Sequence, residues 1–581
     1  MLFSELAHYF QKLENTPSRN EMTEILADLF HRVREGEIGK ICYLLLGRVA
    51  PLYEAVEFGI AEKLIIRAIA QTYEVNEDVV QRAYKKMGDL GTAAESCYHV
   101  LKHDNKKHMS VAYVFENLEA LARMSGEGSQ EKKIDSLSEL LRSIDSLAVR
   151  YLVRIPLDKL RLGFSDMTIL DGLSWMLIGN KSLRPKLEEV YNVRPDIGFI
   201  AQSVKEKGIA GLGRVHSRVG APILAALCQR LPNAEEMIKK MGEVSVEAKY
   251  DGVRVQIHYQ VQNSKLKTQS FSRNLENTTQ MFPELQDIGK QLNAKEVILD
   301  TEAVGIDPNT GKLVSFQETT TRKRKHDIAA TLLKVPLKFF VFDILYKDGK
   351  DLLSLPLSDR RNILEKTVKT GKILVVSPCI VTSNPQELRD FHDKKLREGL
   401  EGAVVKKWNG IYEPGRRGYG WVKFKEEEGQ TGKLTDTIDA VIMGYYRGQG
   451  KRAGFGIGAF LVGVKKSESF VTITKIGTGI SDKLWKDLRT KLNAIKTKNQ
   501  PKEYTNVNKL FIPDIWVEPK IVVEIAGDDL TKSATHGAGV AVRFPRLVRI
   551  RTDKFPRDVT TVSELYTMFS SQGDRPQPIK N

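Results

Sequence analysis

The sequence predicts a multidomain chain in three parts: an all-helical front, an α+β centre and an all-β barrel at the C-terminal end. Three observations carry this. The 581 residues suffice for three or four domains. Apolar residues recur with helical spacing up to about residue 212, and from about residue 240 the period drops to two. The expected boundaries are 1–212, 213–429 and 430–581.

In the front part, "EMTEILADLFHRV", "AEKLIIRAIAQTY" and "KIDSLSELLRSIDSLAVRYLVRIPL" carry the helical pattern, and "KHDNKKH" and "SGEGSQ" read as loops between helices. Its basic residues, Arg161 in "LDKLRLGFSD" among them, are individually unremarkable. "GLGRVHSRVGAP", residues 211–222, is rich in Gly and Arg and reads as a connection. In the centre, "VSVEAKY", "VRVQIHY", "EVILDTEAV", "LKFFVFDILY", "GAVVKKW" and "GWVKFK" alternate as strands do, with "DRRNILEKTVK" and "PQELRDFHDKKLREG" as helices between them. Beyond "EEEGQTGK" come short Gly-punctuated strands, from "DAVIMGYYRGQG" to "RFPRLVRIRTD", which suit a small β-barrel.

Lys and Arg number 89 against 73 Asp and Glu, a net charge of +16 that points to a polyanionic partner. Nucleic acid leads, because both signs are interspersed and no basic amphipathic membrane helix stands out. Cys42, Cys97, Cys228 and Cys379 are scattered without C-x-x-C spacing, so neither a disulfide framework nor a structural zinc site is implied. "MLFSELAHYFQKLENTPSR" reads as an amphipathic helix and not a leader, and no apolar run is long enough to span a bilayer. A soluble protein of a reducing, intracellular compartment is expected, with no membrane partner.

"VEAKYDGVRV", residues 246–255, places Lys249 two positions ahead of an Asp-Gly pair. Asp-Gly between alternating apolar residues signals a hairpin with a type I′ turn, whose central positions need positive φ. That hairpin would pair Tyr250 with Val253, Ala248 with Val255, Val246 with Ile257 and Val244 with Tyr259 on an apolar face. On the other face Lys249 would oppose Arg254, and Glu247 would oppose Gln256. Two opposed cations destabilise a ladder unless an anion sits between them. A nearby Arg also favours the neutral, nucleophilic amine of a Lys. A merely solvated hairpin face with two basic residues is the alternative.

The strands then supply an ordered set of motifs: "EAKYDGVR" (247–254), "FSRN" (271–274), "LDTEAVGID" (299–307), "FFVFDILY" (339–346), "EGAVVKKW" (401–408), "GWVKFKEE" (420–427) and "RFPRLVRIRTDKFP" (543–556). Lys-x-Asp-Gly alone is a weak pattern, but in this order the set resembles the covalent nucleotidyltransferases, and the whole chain resembles the ATP-dependent DNA ligases of replicative, archaeal-like type. That resemblance implies a helical DNA-binding domain, an adenylation domain and an oligonucleotide-binding (OB-fold) barrel in this order. It implies sealing of nicks in duplex DNA through a lysyl-AMP intermediate, in replication, repair and recombination, by a cytoplasmic, nucleoid-associated monomer using ATP and Mg²⁺ or Mn²⁺. A sliding clamp is a partner expected from the family alone, since no glutamine-led aromatic motif stands out in the first domain.

The resemblance assigns roles by position. Lys249 is the nucleophile; Glu247 accepts a hydrogen bond from the adenine amino group; Arg273 contacts sugar and phosphate; Glu302 and Glu401 serve the ribose and the metal; Phe342 stacks on adenine. Arg254 is read as a planar fork for phosphate or ribose oxygens. Asp251 is read as a turn former in preference to a functional acid. Phe340 and Phe342 share one face of their strand by the period of two, and Phe339 and Val341 the other. Lys423 and Lys425 share a strand face suited to α-phosphate oxygens, Arg417 is a nucleotide contact, and Arg546, Arg549 and Lys554 orient the pyrophosphate.

Two signals are discounted. "GQGKRAGFGIG" lacks G-K-[ST] and fails as a phosphate loop, and "TRKRKHD" at 321–327 faces DNA or solvent. A capping enzyme or an RNA ligase has no use for the helical front, an NAD-dependent ligase carries a cysteine zinc site absent here, and a non-catalytic DNA clamp has no reason to keep the charged residues of every motif.

Overall fold

The structure, a computed structural model, describes all residues except 99–108, 161, 263–264, 315–318, 320–334, 425–436, 449–454, 479, 528 and 572–581. Arg161, Lys425 and the basic run at 321–327 thus lie outside the described residues. The chain divides into two compact units, Met1–Lys425 and Glu426–Asn581.

The first unit begins with α-helices from Phe3–Asn15 to Ile197–Lys207 around one apolar core that includes Phe10, Leu26, Phe30, Ile69, Leu118, Leu152 and Leu173. The apolar stripes seen in the sequence are the faces turned inward. The long stretch at 133–157 is two helices, Ser129–Arg142 and Ser146–Arg154, because the Asp145 carboxylate caps the second one by accepting from the Ala148 N–H at 2.9 Å. No helix among the described residues is long and apolar enough to cross a membrane.

The rest of the first unit holds two sheets. Strands β1 (Leu227–Arg230), β2 (Val244–Ala248), β9 (Cys379–Thr382), β10 (Ala403–Lys407) and β11 (Arg417–Phe424) form a five-stranded sheet in the order β1-β11-β10-β2-β9. Strands β3 (Val253–Gln262), β4 (Lys265–Ser272), β5 (Glu296–Gly305), β6 (Leu337–Lys347) and β7 (Lys350–Asp351) form the second in the order β4-β3-β5-β6-β7, with β8 (Leu374–Val376) parallel to β6. Helices Leu357–Thr367 and Pro385–Arg397 fall where the sequence places them.

The expected hairpin at 246–255 is not formed. β2 pairs with β9 and β10, whereas β3 pairs with β4 and β5, so the Lys-x-Asp-Gly segment crosses from one sheet to the other. Arg254 stands opposite Glu302 and not Lys249. Gly252 is not among the positive-φ residues. Its small size has a different cause: a Cβ there would lie 2.4 Å from the Ala303 carbonyl oxygen and 3.0 Å from the Glu302 Cγ. The alternation itself survives. Val244 and Val246 enter a core with Met237, Leu388, Ala403, Val405 and Val422, leaving Glu247 on the opposite face of a strand covered on both sides. Along β6, Phe339 and Val341 are buried in a core with Val255, Ile257 and Leu299, and Phe340 and Phe342 take the other face.

The second unit is built on β12 (Ile438–Tyr446), β13 (Ala459–Lys466), β14 (Ser469–Ile476), β15 (Lys496–Thr497), β16 (Ile515–Val517), β17 (Val522–Ala526) and β20 (Arg546–Arg551). β12 pairs with β13, β16 and β17, and β17 pairs with β20, while β18 (Asp529–Lys532) and β19 (Val540–Arg543) make a separate ladder. The unit is β-rich, and among the described residues the α-helices Asp482–Ala494 and Val562–Ser571 accompany the strands. Trp485, Leu488 and Leu492 of the first plug a core with Phe460, Val462 and Ile473. The many short strands masked their helical spacing in the sequence.

His258 on β3 is fully buried, and burial pushes its imidazole from an ordinary 6.5 down to about 3. The folded value lies below the unfolded one, so between these limits only the unfolded chain binds the proton. Stability is therefore full above about pH 6.5 and falls as the pH is lowered toward 3, by up to about 1.4 kcal/mol per pH unit from this residue. Denaturant unfolding across that range should show a shallower slope for His258→Gln; equal slopes would mean that His258 protonates in place.

Candidate nucleotide-binding site

The two sheets meet over a group of polar residues with an apolar floor. Ile223, Ala226, Ile298, Leu345, Tyr412 and Trp421 form that floor, with Phe342, Val404 and Cys228 packed against it. Phe342 meets Trp421 edge to face at 5.9 Å between ring centroids.

Lys249 follows β2, and its N–H donates to the Gly402 carbonyl at 2.9 Å while the Glu401 N–H donates back to the Lys249 carbonyl at 3.2 Å. These bonds extend the β2–β10 ladder, in which Ala248 faces Ala403, by one step. They set Glu401 beside Lys249, and the Lys249 Nζ donates to the Glu401 Oε2. Gly402 permits this: its φ is +113° and a Cβ would lie 2.5 Å from the Phe424 carbonyl oxygen.

Glu247, one strand position earlier on the same face, is buried and accepts from the Lys406 Nζ at 2.8 Å. Burial pushes its carboxyl above the usual range, against the pull of Lys406. Lys406 also donates to the Phe342 carbonyl at 3.2 Å and lies over the rings of Phe342 and Trp421, 4.6 and 4.4 Å from their centroids. A buried cation and a buried carboxylate beside two aromatic faces make a slot for a flat ring whose edge both donates and accepts hydrogen bonds.

Arg254 lies 5.4 Å from the Phe342 centroid. Its Nε and Nη2 grip the two Asp300 oxygens at 3.0 and 2.6 Å, and Nη1 donates to the Ala226 carbonyl at 2.7 Å. Burial opposes its charge, but Asp300 and Tyr412 outweigh burial and hold the guanidinium more firmly protonated than usual. The fork expected to hold phosphate or ribose oxygens is thus occupied by Asp300, and a ligand meets chiefly its positive charge. Glu302, opposite Arg254, is pushed by burial up to about 7, with Arg254 and Lys249 pulling the other way.

Cys228, on β1, sits in the combined field of Arg254, Lys406, Lys249 and Lys423, which places these cations around one point. Glu247, Lys249, Arg254, Glu302, Phe342, Glu401 and Lys423 are therefore brought together. Arg273 is exposed in the turn Ser272–Leu275, in no hydrogen bond or ion pair with the group among the described residues. Arg417 begins β11, but its side chain lies outside the described residues, as does Lys425 altogether.

The sequence reading passed over Lys406, Asp300, Tyr412 and Trp421. Lys406 had a usable signal, a Lys alternating with apolar residues in "AVVKKW", as did Asp300, two residues from Glu302 on one strand face. Tyr412 and Trp421 gave none, because an aromatic beside a strand is ordinarily core.

In the second unit, the Arg549 Nε donates to the Glu524 Oε2 at 2.5 Å, and the Lys554 Nζ donates to the Asp439 Oδ2 at 2.6 Å. Arg551 joins Asp439 at 3.1 Å and Asp553 at 2.7 Å. Arg546 begins the strand, opposite Ala526.

Known proteins match along the whole chain. The ATP dependent DNA ligase domain matches residues 222–425, the DNA ligase N terminus residues 2–174, and the ATP dependent DNA ligase C terminal region residues 453–554. A probable DNA ligase of Dictyoglomus turgidum is 44% identical over 585 residues, covering 98% of each chain. The DNA ligase of Saccharolobus solfataricus is 37% identical over 597 residues, again covering 98% of each. The solved structure titled "Pmar-Lig_PreS3" shares the fold at 16% identity, with a TM-score of 0.54 over 94% of this chain and 99% of that one. With the three domains matched in order and full-length relatives well above 30% identity, the chain belongs to the ATP-dependent DNA ligase family.

Proposed function

We propose that this ligase seals nicks in double-stranded DNA with the residues gathered around Lys249, in three transfers of one phosphoryl centre after another. In the first, the Lys249 nitrogen attacks the α-phosphorus of ATP; an N–P bond forms, the bond to pyrophosphate breaks and the amine gives up a proton. In the second, the 5′-phosphate of the nick attacks the same phosphorus and Lys249 leaves. In the third, the 3′-hydroxyl attacks the 5′-phosphate, and AMP departs. The observation that carries this reading is the meeting of Lys249, Glu401, Glu302 and Arg254 beside the Phe342 ring.

Within that reading, Phe342 stacks on the adenine, and Glu247 accepts from its amino group. Arg254, Arg273 and Arg417 serve sugar and phosphate. Lys423 and Lys425 hold α-phosphate oxygens, and Arg546, Arg549 and Lys554 meet the departing pyrophosphate. Glu302 and Glu401 suit Mg²⁺ or Mn²⁺: these hard cations take one or two carboxylates together with substrate phosphate oxygens, and a carboxyl that burial has pushed up to about 7 gains from a cation beside it. Such an ion supplies neutralisation of the charge that grows on the phosphoryl oxygens. The working division is a DNA-binding domain at 1–212, an adenylation domain at 213–429 and an OB-fold domain at 430–581, in a monomer of the cytoplasm and nucleoid that meets a sliding clamp.

Incubation with α-labelled ATP and Mg²⁺ tests the chemistry directly. Covalent label on the protein is expected from ATP, and label from GTP in its place would point to capping chemistry. The helical region should supply much of the DNA affinity through phosphate contacts, so binding should weaken steeply with salt. A protein lacking residues 1–212 should keep self-adenylation and lose most nick sealing. Equal sealing by the full and shortened proteins would remove the DNA-binding role from the front.

A further inference from the structure

The connection between the helices and the sheets is built into the nucleotide site. Val215 still belongs to the helical core, and Ala221 packs with Tyr53 from the helices and Phe271 from β4. From Gly220 to Ala226 the chain then runs along β3 and is held by three successive side chains on one face of that strand. The Gly220 N–H donates to the His258 Nδ1 at 3.0 Å. The Ile223 N–H donates to the Gln256 Oε1 at 2.8 Å, and the Gln256 Nε2 donates back to the Ile223 carbonyl at 3.1 Å. Arg254 donates to the Ala226 carbonyl at 2.7 Å. With its Nδ1 accepting from Gly220, His258 carries its proton on Nε2 and gives it to the Gln256 Oε1 at 2.9 Å, which fixes the orientation of that amide.

Tyr412 closes the network. Its hydroxyl accepts from the Ala226 N–H at 3.0 Å and donates to the Asp300 Oδ2 at 2.7 Å. Ala226, Gln256, His258, Asp300 and Tyr412 are all buried, so a lost partner leaves a buried polar group to be satisfied. The Arg254 guanidinium is therefore aimed by two anchors, Asp300 and the Ala226 carbonyl, and both are themselves placed by Tyr412. Gln256 sets the register in which Ala226 arrives.

We propose that Tyr412 and Gln256 are positioning residues for nucleotide transfer, which hold the 220–226 strap so that Arg254 is fixed toward the nucleotide. The inference rests on the reading of Arg254 as a nucleotide contact and goes beyond it. It makes the connection from the helical region a working part of the site.

The test uses full-length protein and the ATP dependence of self-adenylation. Tyr412→Phe, which keeps the ring, should raise the apparent KM for ATP in single-turnover adenylation about tenfold with little change in the maximal rate constant, the order expected when a hydrogen-bonded support of a charged group is loosened. Gln256→Met should do the same more weakly. The deciding readout is non-additivity: on an Arg254→Lys background, Tyr412→Phe should add less than about twofold, because a residue that acts through Arg254 has nothing left to aim. A full multiplicative effect on that background, or an unchanged KM in both single variants, overturns the proposal. If Arg254→Lys alone leaves KM unchanged, it is the assignment of Arg254 to the nucleotide that fails, whatever Tyr412→Phe does.

Discussion

Lys249→Ala protein should take up no label from α-labelled ATP, yet should still join a nick whose 5′ end already carries AMP. The first two transfers pass through the lysine nitrogen, and the third does not. Removing the side chain leaves Glu401 without the amine it accepts from, but the Lys249 main-chain bonds to Glu401 and Gly402 are unaffected by an Ala. The fold of the site should persist, and with it the surroundings that the third transfer needs. An ordinary nick should stay open with ATP present. Sealing of that ordinary nick by Lys249→Ala would transfer the nucleophile's role to another residue, with Lys406 and Lys423 the nearest alternatives on the same cluster.

A protein ending near residue 429 should lose adenylation by ATP while keeping part of its ability to join a pre-adenylated nick. Pyrophosphate leaves with several negative charges, and they need neutralising in the first transfer only. In the proposed function, Arg546, Arg549 and Lys554 are the residues assigned to supply that charge. Inside their own unit, Arg549 pairs with Glu524 and Lys554 with Asp439. The Arg549 side chain is 62% exposed, and Glu524 keeps Arg551 at 3.6 Å when Arg549 turns to a phosphate oxygen. Undiminished adenylation by the shortened protein would leave the C-terminal unit with DNA alone.

Most of the site was legible along the chain, because its residues sit in strands whose period of two tells which side chains share a face. Glu247 and Lys249 sit two residues apart, as do Phe340 and Phe342, and motif order tied Glu247, Lys249, Glu302 and Phe342 to one chemistry. What the period does not reveal is which strand a strand pairs with. Asp251-Gly252 satisfies the local rule for a hairpin, yet the close approach of Gly252 to Ala303 belongs to a crossing between sheets. That crossing puts Glu401 against Lys249 and Glu302 against Arg254, contacts spanning 152 residues in the first case.

By itself the sequence determined the order of helical, mixed and β-rich regions and the faces of the strands, since each depends on neighbours a few residues apart. Only the tertiary structure decided that Lys406 is buried against Glu247, that Asp300 takes the Arg254 fork and that the 220–226 segment is clamped by Gln256 and Tyr412. The reason is physical. A polar group left unpaired in a buried place is costly, so each of these groups must find its partner wherever the fold brings one, at a sequence distance that no local pattern encodes.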